Sequence, residues 1–321
     1  MPAAANDLSL IVGSDGFLGR NLQTYFKEHG LPCVTLRRDA GDLRDRATVL
    51  RLFEDLPQVG RILHVATFQR TGQRQYEIPA DLLDTNMRIH LNVLEAWARH
   101  HPQAKLISIG SSCAYPEHPE PIPARMFQAG PLHDSVRAYG LAKQALAVGS
   151  EVYGTQYGLK WLHCILATMF GPFDHLEPDR SHFIGGMAAR AIREQREGRS
   201  SFTVWGSPDT IRECLYVDDQ IGAMLAADAR FENTILNCGA NTPVSIGEVA
   251  QAILRALDWD AGIVYPEDTF RGTPMKVLDS TRFLDATGWR PRIGLEEGLR
   301  RLVRDLQARS DGSAAAGGIG R

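Results

Sequence analysis

The stretch LSLIVGSDGFLGRNLQTYFKEHG, residues 8 to 30, limits the fold more than any other part of the chain. An apolar run ends at Gly13, the first of three glycines spaced G-x-x-G-x-x-G with Gly16 and Gly19, and a helical pattern continues to Gly30. In a strand-to-helix turn such glycines permit the tight bend, let the backbone approach a pyrophosphate at the helix N-terminus, and let the helix pack closely on its strand.

The rhythm continues through the first half of the chain. Short β-rich runs at LPCVTL, RILHVA and KLISIG alternate with helical patterns, the longest being ADLLDTNMRIHLNVLEAWARHH. This alternation predicts an α/β fold built on a doubly wound parallel sheet. Later strands are predicted at KWLHCILATMFGP and NTILNCG. Beyond residue 172 the rhythm gives way to Pro- and Gly-rich turns and isolated helices such as SIGEVAQAILRAL and EEGLRRLVRDLQ, which predicts a smaller C-terminal α/β domain that grips the substrate. The predicted division is 1–172 for the dinucleotide-binding domain and 173–308 for the substrate domain, with 215–240 returning to the sheet and 309–321 a disordered tail.

A chain of 321 residues, 44% hydrophobic and 23% charged, is long enough for two closely packed domains. Its net charge of −3 and scattered basic residues weigh against nucleic acid or an anionic membrane and favour a small molecule as partner. No apolar run approaches the roughly 18 residues that span a bilayer, and MPAAANDLSL lacks the pattern of a signal peptide, so a cytoplasmic protein is expected. The five cysteines Cys33, Cys113, Cys164, Cys214 and Cys238 form no C-x-x-C pair, which predicts free thiols and no metal site.

The second strand ends in Arg37 and Arg38, where a site for an unphosphorylated ribose carries an acid. Two guanidinium groups suit a ribose 2′-phosphate, so NADP(H) is the expected cofactor. Asp42, in GDLRD, is placed either to cap the next helix or to bind the adenine amino group. Tyr139 and Lys143 stand at i and i+4 and share a helix face. An ammonium beside a phenol favours the phenolate and tunes the tyrosine as a proton donor or acceptor. At the end of KLISIG come Ser111 and Ser112, then Cys113 before a turn-forming Tyr-Pro.

Taken together, G-x-x-G-x-x-G, the strand-end serines and Y-x-x-x-K resemble the extended short-chain dehydrogenase/reductases. The stretches GSSCAYP, YGLAK, HFIGGM, VWGSPDTIRECLYVDD, VSIGEVAQAI and FRGTPMKVLDSTRFLDATGWRPRIGLEEGL look like those of a branch that remodels nucleotide sugars. That branch comprises NADPH-dependent 3,5-epimerase/4-reductases of GDP-4-keto-6-deoxy-mannose. The resemblance implies a reductase triad of Ser111, Tyr139 and Lys143, with Cys113 and His182 as the acid/base pair of epimerisation. It places the cofactor on Gly13, Gly16, Phe17, Leu18, Gly19, Arg37, Arg38, Asp42, Ala66, Tyr139, Lys143 and His182. It directs Arg190, Trp205, Arg212 and Lys276 to the nucleotide sugar. Related dehydratases carry an Asp-Glu pair where Ser112 and Cys113 stand, so a thiol replaces their carboxylates.

The chain also departs from that pattern. Thr168-Met169-Phe170-Gly171-Pro172 replaces the usual Asn-Leu-Tyr-Gly-Pro, and the loops FDHLEPDRSHF and VWGSPDTIREC are unusual, so a reductase-only or epimerase-only enzyme on another nucleotide sugar is the alternative. A non-catalytic NADP(H)-binding sensor is the third. Surplus apolar residues in the helices near 80–100 and 137–157 predict a homodimer, among them Leu82, Leu83, Met87, Ile89, Val93, Trp97, Leu141, Leu146, Val148 and Val152.

Overall fold

A computed structural model describes residues 7–72, 74–267 and 273–317, the last six through their backbone. In chain order the first half forms β1 (Ser9–Val12), α1 (Phe17–Glu28), β2 (Cys33–Leu36), α2 (Arg46–Glu54), β3 (Arg61–His64), α3 (Arg74–Glu77), α4 (Pro79–His100) and β4 (Lys105–Ser111). There follow β5 (Ile122–Pro123), α5 (Arg137–Tyr157), β6 (Trp161–Leu166), β7 (Thr168–Phe170), α6 (Phe183–Arg196), β8 (Ser201–Thr203) and β9 (Ile211–Tyr216). The remainder is α7 (Val217–Asp228), β10 (Thr234–Cys238), β11 (Pro243–Ser245), α8 (Ile246–Ala256), β12 (Gly262–Val264), β13 (Met275–Lys276), β14 (Leu278–Asp279), α9 (Thr281–Thr287) and α10 (Leu295–Gly317).

Six strands make the central sheet in the order β10-β6-β4-β3-β1-β2, and every pairing in it is parallel. This is the doubly wound sheet that the sequence predicts. The chain leaves β1 toward β2, then crosses back to β3 and continues the other way, so the strand order reverses between β1 and β3. In open α/β sheets the crevice at such a reversal is where ligands bind.

Successive residues of a strand point to opposite faces, and both faces are covered. On one, Leu10, Val12, Ile62 and Leu106 pack with Val93, Leu94 and Trp97 of α4 and Leu146 of α5. On the other, Ile11, Leu63 and Ile107 join Leu22 and Phe26 of α1 and a cluster that extends through Met187, Phe202 and Ile253 to Leu306. The C-terminal region therefore shares its core with one face of the sheet. Trp97 is fully buried, with its indole N–H donating to the Ala104 carbonyl at 2.9 Å. Its truncation to alanine would cost about 3–5 kcal/mol.

A second sheet, β11-β9-β13 with β7 on β9, carries residues of the candidate site. Two two-stranded pairs, β12-β8 and β14-β5, complete the topology. Strands of two or three residues leave no period to read, which is why the sequence did not reveal most of them.

One expectation is corrected. Residues 309–317, predicted to lie in a disordered tail, continue α10; Arg309 donates to Asp305 at 3.2 Å and to the Asp174 carbonyl at 2.6 Å, and residues 318–321 lie outside the described residues. Half of the ten surplus apolar residues of α4 and α5 are spent inside the subunit, since Leu82, Ile89, Val93, Trp97 and Leu146 are all buried. Long helices squeezed between a sheet and each other need more than one apolar stripe. Leu83, Leu141 and Val152 are exposed, as are Leu91 and Tyr157 of the same two helices.

Candidate active site

At the end of β1 the backbone of Gly13 has φ +92°, and a Cβ there would sit 2.5 Å from the Ala66 Cα. Only glycine fits, because β1 and β3 come together at that residue. Gly19 is equally constrained: its Cβ would meet the Gly13 carbonyl at 2.3 Å, so α1 lies directly on the turn. Gly16 differs. It is the N-cap of α1 and offers no side-chain cap, and an added Cβ would meet only the Gly13 carbonyl at 3.5 Å. Packing within the chain does not demand glycine there, whereas close approach by a phosphate group does, and the uncapped helix N-terminus suits that charge. The side chains of Phe17 and Leu18 turn into the core, leaving their backbone as what the turn offers.

Arg37 and Arg38 follow β2 at the open side of this turn. Arg37 faces Asp15 at 3.7 Å and Asp39 at 3.4 Å in exposed pairs, and the Arg38 backbone N–H donates to Asp15 at 2.7 Å. Exposed pairs of this kind contribute little and yield readily to a phosphate. Asp42 is paired with Arg44 at 2.7 Å, whose hydrogen bonds hold its carboxyl below the usual range. It does not cap α2. Asp45 does, accepting from the Thr48 N–H at 2.7 Å.

Ser111 is the last residue of β4, and its Oγ accepts the Cys113 N–H at 3.2 Å, shaping the single turn that presents the thiol. The N-terminal part of α5 presses against this turn. A Cβ on Gly140 would fall 2.5 Å from the Cys113 carbonyl, and Gln144 donates to the Ala114 carbonyl at 2.9 Å. Tyr139 is thus held beside Cys113. Burial pushes its phenol above the ordinary value, the electrostatic influence of Cys113 adds to the rise, and a hydrogen bond with Thr67 opposes it. Burial also brings Lys143 down to about 8. Its ammonium stands 5.6 Å from the Tyr139 ring centroid. The expected lowering of the phenol is therefore reversed, because burial of the phenol outweighs it. A protonated Tyr139 is the resting form, suited to giving a proton.

Beneath Lys143 lie three buried imidazoles. His64 Nε2 and His90 Nδ1 are 2.9 Å apart, and His163 Nδ1 meets Ser108 Oγ at 2.7 Å. Burial, with Lys143 reinforcing it, keeps all three neutral, His64 and His163 at about 3.

His182 is the N-cap of α6, yet its ring does not cap the helix. Its Nδ1 meets Asp174 Oδ1 at 2.8 Å and its backbone N–H donates to Asp174 Oδ2 at 3.1 Å. Asp174 is 1% exposed and also accepts the His175 N–H at 2.8 Å. A buried carboxylate at Nδ1 fixes the proton there and leaves Nε2 for other chemistry. The ring rests 4.9 Å from that of Phe17, which places it against the glycine turn. Sequence reasoning missed Asp174; its only signal was an acid eight positions before the histidine in the loop FDHLEPDRSHF. It also missed Asn86, which accepts from Thr67 Oγ1 at 3.0 Å and from the Phe68 N–H at 2.8 Å and so fixes the loop after β3.

The nucleotide-sugar candidates cluster on α6 and the second sheet. The Arg190 guanidinium lies 3.9 Å over the Trp205 ring, with Nε and Nη1 buried and unpartnered. Trp205 is 62% exposed. Arg212 on β9 donates to the Ile211 carbonyl at 2.8 Å, and its strand neighbour in register is Lys276 of β13. Lys276 points to Cys113, with Nζ 3.6 Å from Sγ. The buried Glu213 carboxylate accepts N–H groups from Ala240 at 2.5 Å and from Asn241 and Leu278 at 3.0 Å. It fixes β9 against both segments and had no signal in the sequence.

Sheet, glycine turn and Tyr139–Lys143 together define a nucleotide-dependent α/β enzyme fold, and the chain belongs to the NAD dependent epimerase/dehydratase family, whose pattern matches residues 9–239. The extended short-chain dehydrogenase/reductase resemblance is met. The chain is 31% identical to the GDP-L-fucose synthase of Escherichia coli (strain K12) over 304 residues, covering 90% of this chain and 93% of that protein. The probable GDP-L-fucose synthase 1 of Oryza sativa subsp. japonica is 28% identical, over 90% of this chain and 88% of that one. In fold, the NADP-bound GDP-L-fucose synthetase of Naegleria fowleri superposes with a TM-score of 0.87 at 23% identity, over 97% of this chain and 96% of that one.

Proposed function

We propose that the chain is an NADPH-dependent 3,5-epimerase/4-reductase of a nucleotide-linked 4-keto-6-deoxyhexose, with GDP-4-keto-6-deoxy-mannose as substrate and GDP-L-fucose as product. The observation that carries this is the place of Cys113, held beside the protonated Tyr139 on one side and Lys276 and Arg212 on the other. The likeness to GDP-L-fucose synthases over nine tenths of the chain supports the choice of substrate.

Gly13, Gly16 and Gly19 with the first turn of α1 fit the cofactor diphosphate, and Arg37 and Arg38 fit a 2′-phosphate. Bound NADPH supplies the reducing equivalent for sugar carbon 4. Lys143 holds the nicotinamide ribose and supports Tyr139. Arg190, Trp205 and Arg212 take the nucleotide and its diphosphate, with the unpartnered Arg190 atoms as the donors that such a group satisfies.

The ketone at carbon 4 acidifies the hydrogens at carbons 3 and 5. Cys113 removes one, Ser111 and Tyr139 donate hydrogen bonds to the enolate oxygen, and His182, oriented by Asp174, returns a proton to the opposite face. Each such group contributes about 10² to 10⁴ in rate. Tyr139 then protonates the oxygen as carbon 4 is reduced.

The exposed Leu83, Leu91, Leu141, Val152 and Tyr157 support a homodimer formed through α4 and α5. Five free cysteines fit a reducing, cytoplasmic setting. Among the described residues no helix is long and apolar enough to cross a membrane.

Turnover of GDP-4-keto-6-deoxy-mannose in deuterated water tests the activity. NADPH loss with deuterium at carbons 3 and 5 is expected. NADPH loss without deuterium would reduce the enzyme to a ketoreductase, and no NADPH loss at all would exclude this substrate.

A further inference from the structure

Lys276 resembles, by its sequence context, a ligand of the nucleotide sugar, but its position points to another use. β13 pairs in parallel with β9, with Lys276 opposite Arg212. Side chains of paired residues leave a sheet on the same face, so two cations stand side by side, and like charges so placed repel. Glu213 lies next to Arg212 in sequence but projects to the other face and is occupied by the backbone N–H groups of Ala240, Asn241 and Leu278. Among the described residues the hydrogen bonds of the two cations run to the Ile211 carbonyl and to the sulfur of Cys113.

The groups facing Cys113 and the two cations narrow the source of compensating charge. Burial keeps the Tyr139 phenol protonated. Cys214, two residues along β9, is pushed up to about 12 by burial and stays a neutral thiol. Ser111 is a neutral acceptor for the Cys113 N–H. Glu117 and His133 line the same pocket as Lys276 but face each other at 3.8 Å, which leaves Cys113 itself, half-buried, with an ammonium 3.6 Å from its sulfur and Arg212 within electrostatic reach.

We infer that Lys276 is the counter-ion that holds Cys113 as a thiolate. This deepens the proposed epimerase/reductase and rests on it for its catalytic meaning. The thiolate takes a proton from carbon 3 or 5 and becomes a thiol. The electron pair left on carbon moves onto the carbonyl oxygen, where Ser111 and Tyr139 donate. Lys276 keeps all three of its protons throughout. It is a positioning residue in that it acts through Cys113. A neighbouring ammonium is the ordinary means by which proteins turn a thiol into a nucleophile or base near neutral pH.

The test is the pH profile of iodoacetamide alkylation at Cys113, resolved from the other four cysteines by peptide mass spectrometry. It needs no nucleotide sugar, so it stands or falls apart from the activity assay. In Lys276→Gln, folded as judged by circular dichroism, the midpoint of the profile should rise by at least about one pH unit, a tenfold loss of thiolate, while Lys276→Arg stays near the wild type. Lys276→Met, which keeps the apolar stem, is read in the same way should the glutamine variant fail to fold. An unchanged midpoint in a folded Gln or Met variant would overturn the inference. An unchanged midpoint with weakened binding of GDP would instead make Lys276 a diphosphate ligand.

Discussion

The two sides of the site are built differently. Around Tyr139 and Lys143 the surroundings are dehydrated and neutral, with three uncharged imidazoles below and a glycine pressed against the Cys113 turn. Around Arg190 and Arg212 they are cationic and partly open, with guanidinium atoms unpartnered and an indole that is 62% exposed. The first arrangement fixes proton positions; the second waits for an anion. In the proposed function Tyr139, Lys143 and Cys113 stand on α5 and at the end of β4, the nucleotide candidates Arg190 and Arg212 stand on α6 and β9, and His182 at the start of α6 and Lys276 on β13 join the two sides.

Substitutions on the two sides should move different constants. The largest effect is expected from Tyr139→Phe, which removes the proton donor and should lower kcat by about 10³ with NADPH affinity little changed, as stopped-flow turnover and fluorescence titration would show. A comparable loss of NADPH binding would mean that the tyrosine is structural. Next comes Asp174→Asn, which frees the His182 tautomer and should slow deuterium exchange at the sugar by about 10² while reduction of an already epimerised ketone is spared. Equal loss of both would place Asp174 in folding.

Arg190→Ala sharpens the other side. It should raise KM for the nucleotide sugar roughly tenfold to a hundredfold, the worth of one or two charged hydrogen bonds, with kcat nearly intact. A fall in kcat alone would contradict the division. The smallest effect is on stability. Lys143 titrates at about 8 in the fold against an ordinary 10.5. Between those values the unfolded chain carries the proton and the folded chain has lost it, so stability should rise with pH there. Above about 10 the raised phenol of Tyr139 works the opposite way, holding a proton that the unfolded chain gives up. Urea midpoints at pH 7 and 9.5 should therefore increase in the wild type and stay flatter in Lys143→Met.

Much of the chemical half was legible before the structure, because its signals are local. Gly13, Gly16 and Gly19 lie within one turn, and Tyr139 and Lys143 are one helical turn apart. Steric demands that act over seven residues leave a spacing to read. The partners that complete the site are not local. Asp174 meets His182 across a loop of irregular backbone, Glu213 bonds to Ala240 and Leu278, and Lys276 reaches Cys113 from the far end of the chain. Nothing in the residues beside Lys276 distinguishes a counter-ion for a thiol from a ligand for a phosphate. The rise of the Tyr139 phenol was missed for a related reason: spacing shows that an ammonium is near, but not that both groups have left water.

Glu213 has a wider consequence. With one carboxylate bonded to the turn after β10 and to the start of β14, the second sheet is clamped at a point outside the cleft. The loop between β8 and β9, which carries Trp205, hangs from that clamp without contributing to it. A protein engineer grafting a loop of different length between residues 205 and 210 would change the proposed grip on the sugar nucleotide and leave the spacing of Lys276 and Cys113 where it is. The fold therefore offers specificity as an exchangeable part, mounted on a bracket that also holds Lys276 beside Cys113.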